Sequence, residues 1–423
     1  MTPARRPAAV TRRALLRGAA AGLAAAAAGA TPAAASPPAS AAAAPGTAPA
    51  TPGTAPAGPD AAPAAPGVRG PAGGARRGGP PPVRWRTPLA GIGAFTLRDR
   101  IVYAMQGATL RALSAADGAP RWRVPVGPPD DARLLDVAVV AGAERVAATV
   151  TRHRPGPSGP TVVGDVFGAD GALGYRLDSG RGDLHFFGDT LVRSVRASHS
   201  SFHYVEAYGP DGAVRWQTDD LGSAWLSGLP PVAGPAARAL LTIEDDAGGT
   251  RLALVDTATG AARWSVDGVG QPAPLGLDEG DRLLVPLVPA DGRRDRRTRL
   301  YWLDPATGAA ASSVPVEEFA GQLRCGGTLF VVTYDGAVLA LDPASGVARW
   351  RAHLDAPPAA TALAASGGAL LVWADDRVYP LDPASGAARG APWPGVAAPV
   401  CADAAGVYAR VGNELVAYAP PTG

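Results

Sequence analysis

From residue 83 onward the chain reads as short apolar runs separated by polar turns. Ile101-Val-Tyr-Ala, Thr109-Leu-Arg-Ala-Leu, Arg238-Ala-Leu-Leu-Thr-Ile-Glu, Asp281-Arg-Leu-Leu-Val-Pro-Leu, Thr328-Leu-Phe-Val-Val-Thr-Tyr and Ala369-Leu-Leu-Val-Trp-Ala are examples. Each is too short for an ordinary helix and is bounded by turn-forming residues, the pattern of β-strands. Asp335-Gly336, Asp375-Asp376 and Gly412-Asn413 fall at expected hairpin tips. No stretch of comparable length combines helical periodicity with end caps.

The turns repeat. Asp256-Thr-Ala-Thr-Gly-Ala-Ala-Arg-Trp264 and Asp342-Pro-Ala-Ser-Gly-Val-Ala-Arg-Trp350 each follow an apolar run and lead into another strand. The Asp initiates a turn, and the Gly supplies positive φ. Shorter copies run from Asp117-Gly118 to Trp122, from Asp211-Gly212 to Trp216, and from Asp170-Gly171 to Tyr175. The turns at Asp304 to Gly308 and Asp382 to Gly386 lead instead to Ser312 and Gly390, and a last turn ends at Gly423. The turn glycines are separated by 53, 41, 48, 48, 38, 40 and 37 residues, the length of four short strands. A β-sandwich would supply strands without requiring this recurrence.

The last copy lacks its final strand, and Pro82-Val-Arg-Trp85-Arg-Thr precedes the first complete set. Trp85 fits the vacant aromatic slot. The spacing therefore predicts an all-β closed β-propeller of eight four-stranded blades, with N- and C-terminal strands sharing the last blade. Trp85, Trp122, Tyr175, Trp216, Trp264 and Trp350 are its expected docking aromatics. An indole fills an apolar layer and carries one donor that needs a partner when buried.

The pattern Asp-x-x-Thr/Ser-Gly-x-x-x-Trp resembles the pyrroloquinoline-quinone-like, or quinoprotein-like, propeller repeat, including the Trp that docks one blade on the next. It is complete at Asp256 to Trp264 and at Asp342 to Trp350, and partial at the other turns. The resemblance implies a fold, and with it either a quinone enzyme or a scaffold such as the outer-membrane assembly protein.

Composition divides the chain. The first eighty residues are rich in Ala, Pro and Gly. Residues 1–35 contain paired Arg12 and Arg13 before Ala14-Leu15-Leu16, then a small-residue apolar run, and read as a twin-arginine signal peptide. That run is short and broken by Gly, so no transmembrane span is expected in the mature chain. Residues 36–82 read as a disordered linker, and residues 83–423 as the folded body. Setting aside eight Arg and Asp60 before residue 83 leaves 31 basic and 36 acidic residues, a formal charge of −5. A mildly acidic body lacks the positive field a nucleic-acid binder needs.

Candidate chemistry is sparse. By resemblance, a quinone dehydrogenase needs a cation, a base and a pocket for the tricyclic quinone; the adjacent-cysteine disulfide of the alcohol dehydrogenase branch is absent. Cys325 and Cys401 are the only cysteines and read as small buried hydrophobes. A bridge between them would have to join non-neighbouring blades. His199 and His203 are two full pleats apart in a strand, and the alternative places His185 and His203 at the central opening. Asp219-Asp220, Glu244-Asp245-Asp246, Asp278-Glu279 and Asp375-Asp376 lack a dedicated calcium-loop pattern and read as solvated connectors. Arg293, Arg294, Arg296, Arg297 and Arg299 form a candidate surface contact for an anionic polymer, lipid surface or acidic partner, or else a solvated hairpin. Tyr103, Trp225, Tyr301 and Trp373 lie outside the docking slots and are expected to pack within strands.

The sequence thus reads as an exported, monomeric, non-catalytic binding or scaffolding module for a protein, peptide or envelope component. No catalytic residue, metal or cofactor is assigned. The alternatives are a quinone-dependent oxidoreductase, using pyrroloquinoline quinone with calcium, and an extracellular sensor or partner-docking domain.

Overall fold

The computed structural model describes residues 80–421, except 90–92, 129–132, 143, 154–159, 178–183, 197–202, 219–222, 227–237, 245–249, 268, 271–275, 278–282, 289–298, 316–318, 344, 356–357, 359–360 and 397–400. The signal-peptide expectation and nearly all of the linker expectation lie outside the described residues.

The described strands form eight antiparallel sheets. Taken along the chain, the first contains Phe95–Arg98, Ile101–Gln106, Thr109–Ser114 and Pro120–Pro125, and the second Arg133–Ala141, Arg145–His153, Pro160–Gly168 and Leu173–Leu177. The third contains Leu184–Phe187, Thr190–Arg196, His203–Tyr208 and Val214–Gln217, and the fourth Ser223–Leu226, Arg238–Glu244, Thr250–Asp256 and Ala262–Asp267. The fifth consists of Val269–Gly270, Gly276–Leu277, Leu283–Val288, Arg299–Leu303 and Ala310–Pro315. The sixth contains Phe319–Cys325, Thr328–Thr333, Ala337–Leu341 and Ala348–His353, and the seventh Thr361–Ser366, Ala369–Ala374, Arg377–Leu381 and Trp393–Pro394. The eighth joins Cys401–Asp403, Gly406–Val411 and Glu414–Tyr418 to Val83–Pro88 from the other end of the described chain, with Trp85 opposite Ala417.

Strand position explains strand composition. The second strands of the sixth and seventh sheets, Thr328–Thr333 and Ala369–Ala374, are buried along their whole length. With both faces covered, they read as continuous apolar runs and not as an alternation. The fourth strand of the sixth sheet, Ala348–His353, alternates exposed and half-buried residues because it lies at the rim. The core is accordingly distributed in layers between sheets. Trp302 of the fifth packs with Leu329 and Val331 of the sixth, and Trp393 of the seventh with Val407 and Tyr418 of the eighth.

The structure corrects the expectation of a closed propeller built from eight equal four-stranded units. Among the described residues, hydrogen bonding divides the strands into separate open sheets; none of these closes into a barrel, no strand ladder runs from one into the next, and the fifth has five strands. The physical reason lies in the turns. The Asp-to-Gly repeat sets the hairpin between the third and fourth strands of a sheet, for example Gly260 N donating to Asp256 O at 2.8 Å. It specifies a sheet and carries no instruction for joining sheets through their backbones. The strand around Trp85 likewise completes one sheet and does not seal a hydrogen-bonded ring.

Candidate functional site

Each docking aromatic lies against the turn glycine of the next sheet. A Cβ added to Gly118 would meet the Trp85 ring at 2.8 Å, one at Gly308 the Trp264 ring at 2.6 Å, and one at Gly386 the Trp350 ring at 2.5 Å. Only a residue without Cβ permits so close an approach, and at φ between +72° and +73° glycine is also the residue the turn conformation favours. The indole donor is then used. Trp85 Nε1 donates to Ala115 O, Trp122 to Ala169 O, Trp216 to Thr257 O, Trp264 to Pro305 O and Trp350 to Pro383 O, at 2.8 to 3.1 Å. Tyr175 packs against Gly212 in the same manner, but its buried hydroxyl has no partner among the described residues. Burial pushes that phenol up to about 12.

One such contact shapes a cavity. Trp350, holding the sixth sheet to the Pro383 carbonyl of the seventh, fixes the distance between neighbouring hairpin tips. Between them lies a half-open cavity of about 640 Å³, within the range of ligand sites. Cys325, Gly326, Thr328 and Phe330 line one side, and Ser366, Gly367, Gly368 and Leu370 the other; Pro383 and Ala384, Arg349, and Ala404 of the eighth sheet complete it. The tips are the two-residue turns Gly326-Gly327 and Gly367-Gly368, all four at positive φ, the backbone of a tight hairpin. Their peptide groups lie outside the strand ladders closed by Cys325 opposite Thr328 and Ser366 opposite Ala369.

The charge in this cavity is already engaged. Arg349 Nη2 lies 2.7 Å from Asp342 Oδ2, and its Nη1 donates to Thr328 Oγ1 at 3.0 Å. The lining contains no carboxylate. It therefore does not fit pyrroloquinoline quinone with calcium, for which a carboxylate would have to hold the ion or serve as base. Among the described residues no group of three His, Cys, Asp or Glu side chains is placed to hold a metal ion, and no helix is long and apolar enough to cross a membrane.

The other sequence candidates do not converge on the cavity, except one cysteine. Cys325 and Cys401 are free. Cys325 ends its strand at the Gly-Gly tip and is exposed, which corrects its reading as a buried hydrophobe. The Cys401 residue is partly covered, and burial pushes its thiol up to about 11. His185 is half-buried in the third sheet with its ring 6.5 Å from Phe187; the His203 strand is also in that sheet, and His199 lies outside the described residues. Asp375 and Asp376 sit on an exposed hairpin, with Asp376 3.6 Å from Arg377. The other acidic connectors fall wholly or largely outside the described residues. Arg293, Arg294, Arg296 and Arg297 do so entirely, while Arg299 begins a strand of the fifth sheet. Tyr103 and Trp373 are buried, Tyr301 is half-buried, and Trp225 belongs to the first strand of the fourth sheet.

Sequence reasoning missed the cavity because its lining is mostly Gly, Ala, Pro, Ser and Thr, which spell turns. The available signal was the pair of Gly-Gly turns in adjacent repeats. It also missed a buried polar group in the third sheet. There Arg193 Nη2 reaches Glu206 Oε2 at 2.5 Å, Tyr208 donates its hydroxyl to the same carboxylate, and the guanidinium lies over the Tyr208 ring. These three side chains satisfy one another inside the core.

A family model described as outer membrane protein assembly factor BamB matches residues 296–393. No curated protein matches the chain. Among solved structures, BamB from Moraxella catarrhalis is 15% identical, with 78% of this chain and 95% of that one covered at a TM-score of 0.55. The quinohemoprotein alcohol dehydrogenase ADHIIG from Pseudomonas putida HK5 is 13% identical, with 78% and 71% covered at 0.52. The computationally designed Ika8 protein is 13% identical, with 81% and 98% covered at 0.53. These likenesses show a shared fold. The same fold serves an assembly factor, a dehydrogenase and a designed protein, so it does not select a function.

Proposed function

We propose, for a chain that matches the PQQ-repeat, quinoprotein-like β-propeller family through residues 296–393, a non-catalytic binding or scaffolding role outside the cytoplasmic membrane. The observation that carries this reading is the cavity between the sixth and seventh sheets. All of its lining except Ala404 falls within the segment matched by the assembly-factor family. Apart from Cys325, Thr328 and Ser366 its walls are apolar or bare backbone, and its guanidinium is held by Asp342. Such a surface grips a segment of protein by shape and main-chain hydrogen bonds. The twin-arginine-like leader supports an extracytoplasmic setting, and the ligand class is a protein component of the envelope.

The test uses Cys325 as an attachment point, since it is exposed and the Cys401 thiol is buried. A benzophenone placed on Cys325 and photolysed in intact envelopes should give one discrete protein adduct, and Ala384→Arg at the exposed rim should abolish it. An adduct indifferent to Ala384→Arg, or no discrete adduct, would sink this reading. Saturable binding of pyrroloquinoline quinone with calcium, together with substrate-dependent dye reduction, would replace it with the oxidoreductase.

A further inference from the structure

We infer that the cavity between the sixth and seventh sheets is occupied by a segment of this same chain, the uncharged Ala/Pro-rich run of residues 36–59. The inference rests on reading the cavity as a binding site and names its occupant.

The first argument is chemical. Residues 36–59 contain no Asp, Glu, Arg or His and no side chain larger than Pro or Thr. The cavity asks for such a ligand. Its guanidinium is neutralised by Asp342 at 2.7 Å, so a charged ligand would be desolvated without a free counter-charge. Phe330, Leu370 and Pro383 give apolar surface, while the turn at Gly326, where an added Cβ would meet nothing within 4 Å, offers peptide groups unshielded by side chains. Prolines spaced a few residues apart pre-set an extended backbone, so less conformational entropy is lost on docking.

The second argument is position. The chain enters the described fold beside this cavity. Pro82 O accepts from Ala419 N at 2.9 Å. Two residues on, Arg84 Nη1 donates to Ala405 O at 2.7 Å, next to the lining residue Ala404. Pro420 and Pro421 lie against Gly367, itself a lining residue. Residue 59 is joined to Pro80 by about 20 residues, which can reach roughly 60 to 70 Å when extended. The tether needs no such length to return to a cavity adjoining its own point of attachment. It holds the segment at an effective concentration on the order of millimolar, so even weak contacts fill the site. A partner would then bind by displacing the segment.

Alkylation of Cys325, read by mass spectrometry on the exported full chain, tests this. The comparison is a variant carrying Pro45→Asp, Pro49→Asp and Pro52→Asp, all remote in sequence from the described fold. Cys325 should react about fivefold more slowly in the native chain than in the variant, as expected for a mostly filled site. A synthetic peptide of residues 36–59, added at millimolar concentration, should slow the variant to the native rate. Equal rates in the two chains, or a peptide without effect, would overturn the inference. Photocrosslinking from Cys325 in the triple-Asp variant keeps the two readings apart. A discrete adduct there, sensitive to Ala384→Arg, preserves the cavity as a partner site even when cis occupancy fails.

Discussion

Trp302 stands directly across the strand pair from Ser312. Ser312 lies four residues after the turn glycine Gly308, where other repeats place an aromatic, and residues directly opposite in an antiparallel pair share a face. The fifth sheet therefore supplies its indole from the neighbouring strand. Trp302 is wholly buried among Leu329, Val331, Leu339 and Leu341 of the sixth sheet. The slot is moved by one strand, and the layer between the sheets is still filled.

This relationship sets apart two tryptophans that look equivalent by burial. Trp302 Nε1 has no partner among the described residues, whereas Trp216 Nε1 donates to Thr257 O at 2.8 Å. Trp302→Ala should cost roughly 3 to 5 kcal/mol, the range for a large buried aromatic. Trp302→Phe, however, removes an unsatisfied donor along with part of the ring. Trp216→Phe removes the partner of a buried carbonyl, an added loss of about 1 to 3 kcal/mol. Urea unfolding should rank Trp216→Phe as the more damaging; equal losses would contradict the assigned hydrogen bonding.

Gly308 and Gly412 separate close approach from backbone conformation. Both are left-handed, at φ +73° and +57°, but a Cβ at Gly308 would lie 2.6 Å from Trp264, whereas one at Gly412 would meet nothing within 4 Å. Gly412→Ala should cost only the left-handed penalty, about 1 to 2 kcal/mol. Gly308→Ala should cost a further 1 to 3 kcal/mol because the indole must shift in a packed layer. Melting curves of the two variants check this, and similar losses would mean that the Trp264 ring yields freely.

The strands and their grouping were legible because the Asp-to-Gly turn is local: its Gly-to-Trp spacing is written within one repeat, and so is its hairpin. The pairing of the Trp85 strand with Glu414–Tyr418 was legible too, since one end of the chain lacked the strand that the other possessed. The Trp302 substitution was not, because cross-strand register is absent from linear spacing. The relation between sheets was not legible for a similar reason: the turns specify hydrogen bonds only within each sheet. The cavity escaped because it arises where Cys325, Ser366, Pro383 and Ala404, drawn from three sheets, converge in space.

Tyr175 is the weak member of the docking series. Its ring meets Gly212 and stacks 6.3 Å from Tyr208, but its hydroxyl is buried without a partner among the described residues. Tyr175→Trp should replace that hydroxyl with a donor able to reach the neighbouring turn, as Trp122 does at Ala169 O. A gain of about 1 kcal/mol is expected, the net worth of one buried hydrogen bond. A lower urea midpoint at unchanged slope would mean that the Gly212 turn cannot admit the larger ring.

Acid should act through the aspartates that the fold holds below their ordinary range, and Asp382 shows the sign. Its carboxylate is held down to about 2, first by Arg389 and then by the N–H of Ala384 and by Ser385. An unfolded Asp titrates near 3.9, so the folded form binds its proton less tightly, by an amount that approximates a stabilising contribution at neutral pH. That contribution is complete above about pH 5 and is lost as pH falls through about 2. The Arg389 to Asp382 pair is partly exposed, which keeps the effect modest. Asp335 shifts in the same direction through the Thr333 hydroxyl. The native melting temperature should therefore decline between about pH 4 and pH 2. Asp382→Asn should melt lower at pH 6 and lose less over the acid interval, because one of the titrating carboxylates is gone. Parallel declines in the two proteins would show that the Arg389 to Asp382 contact contributes nothing to folding.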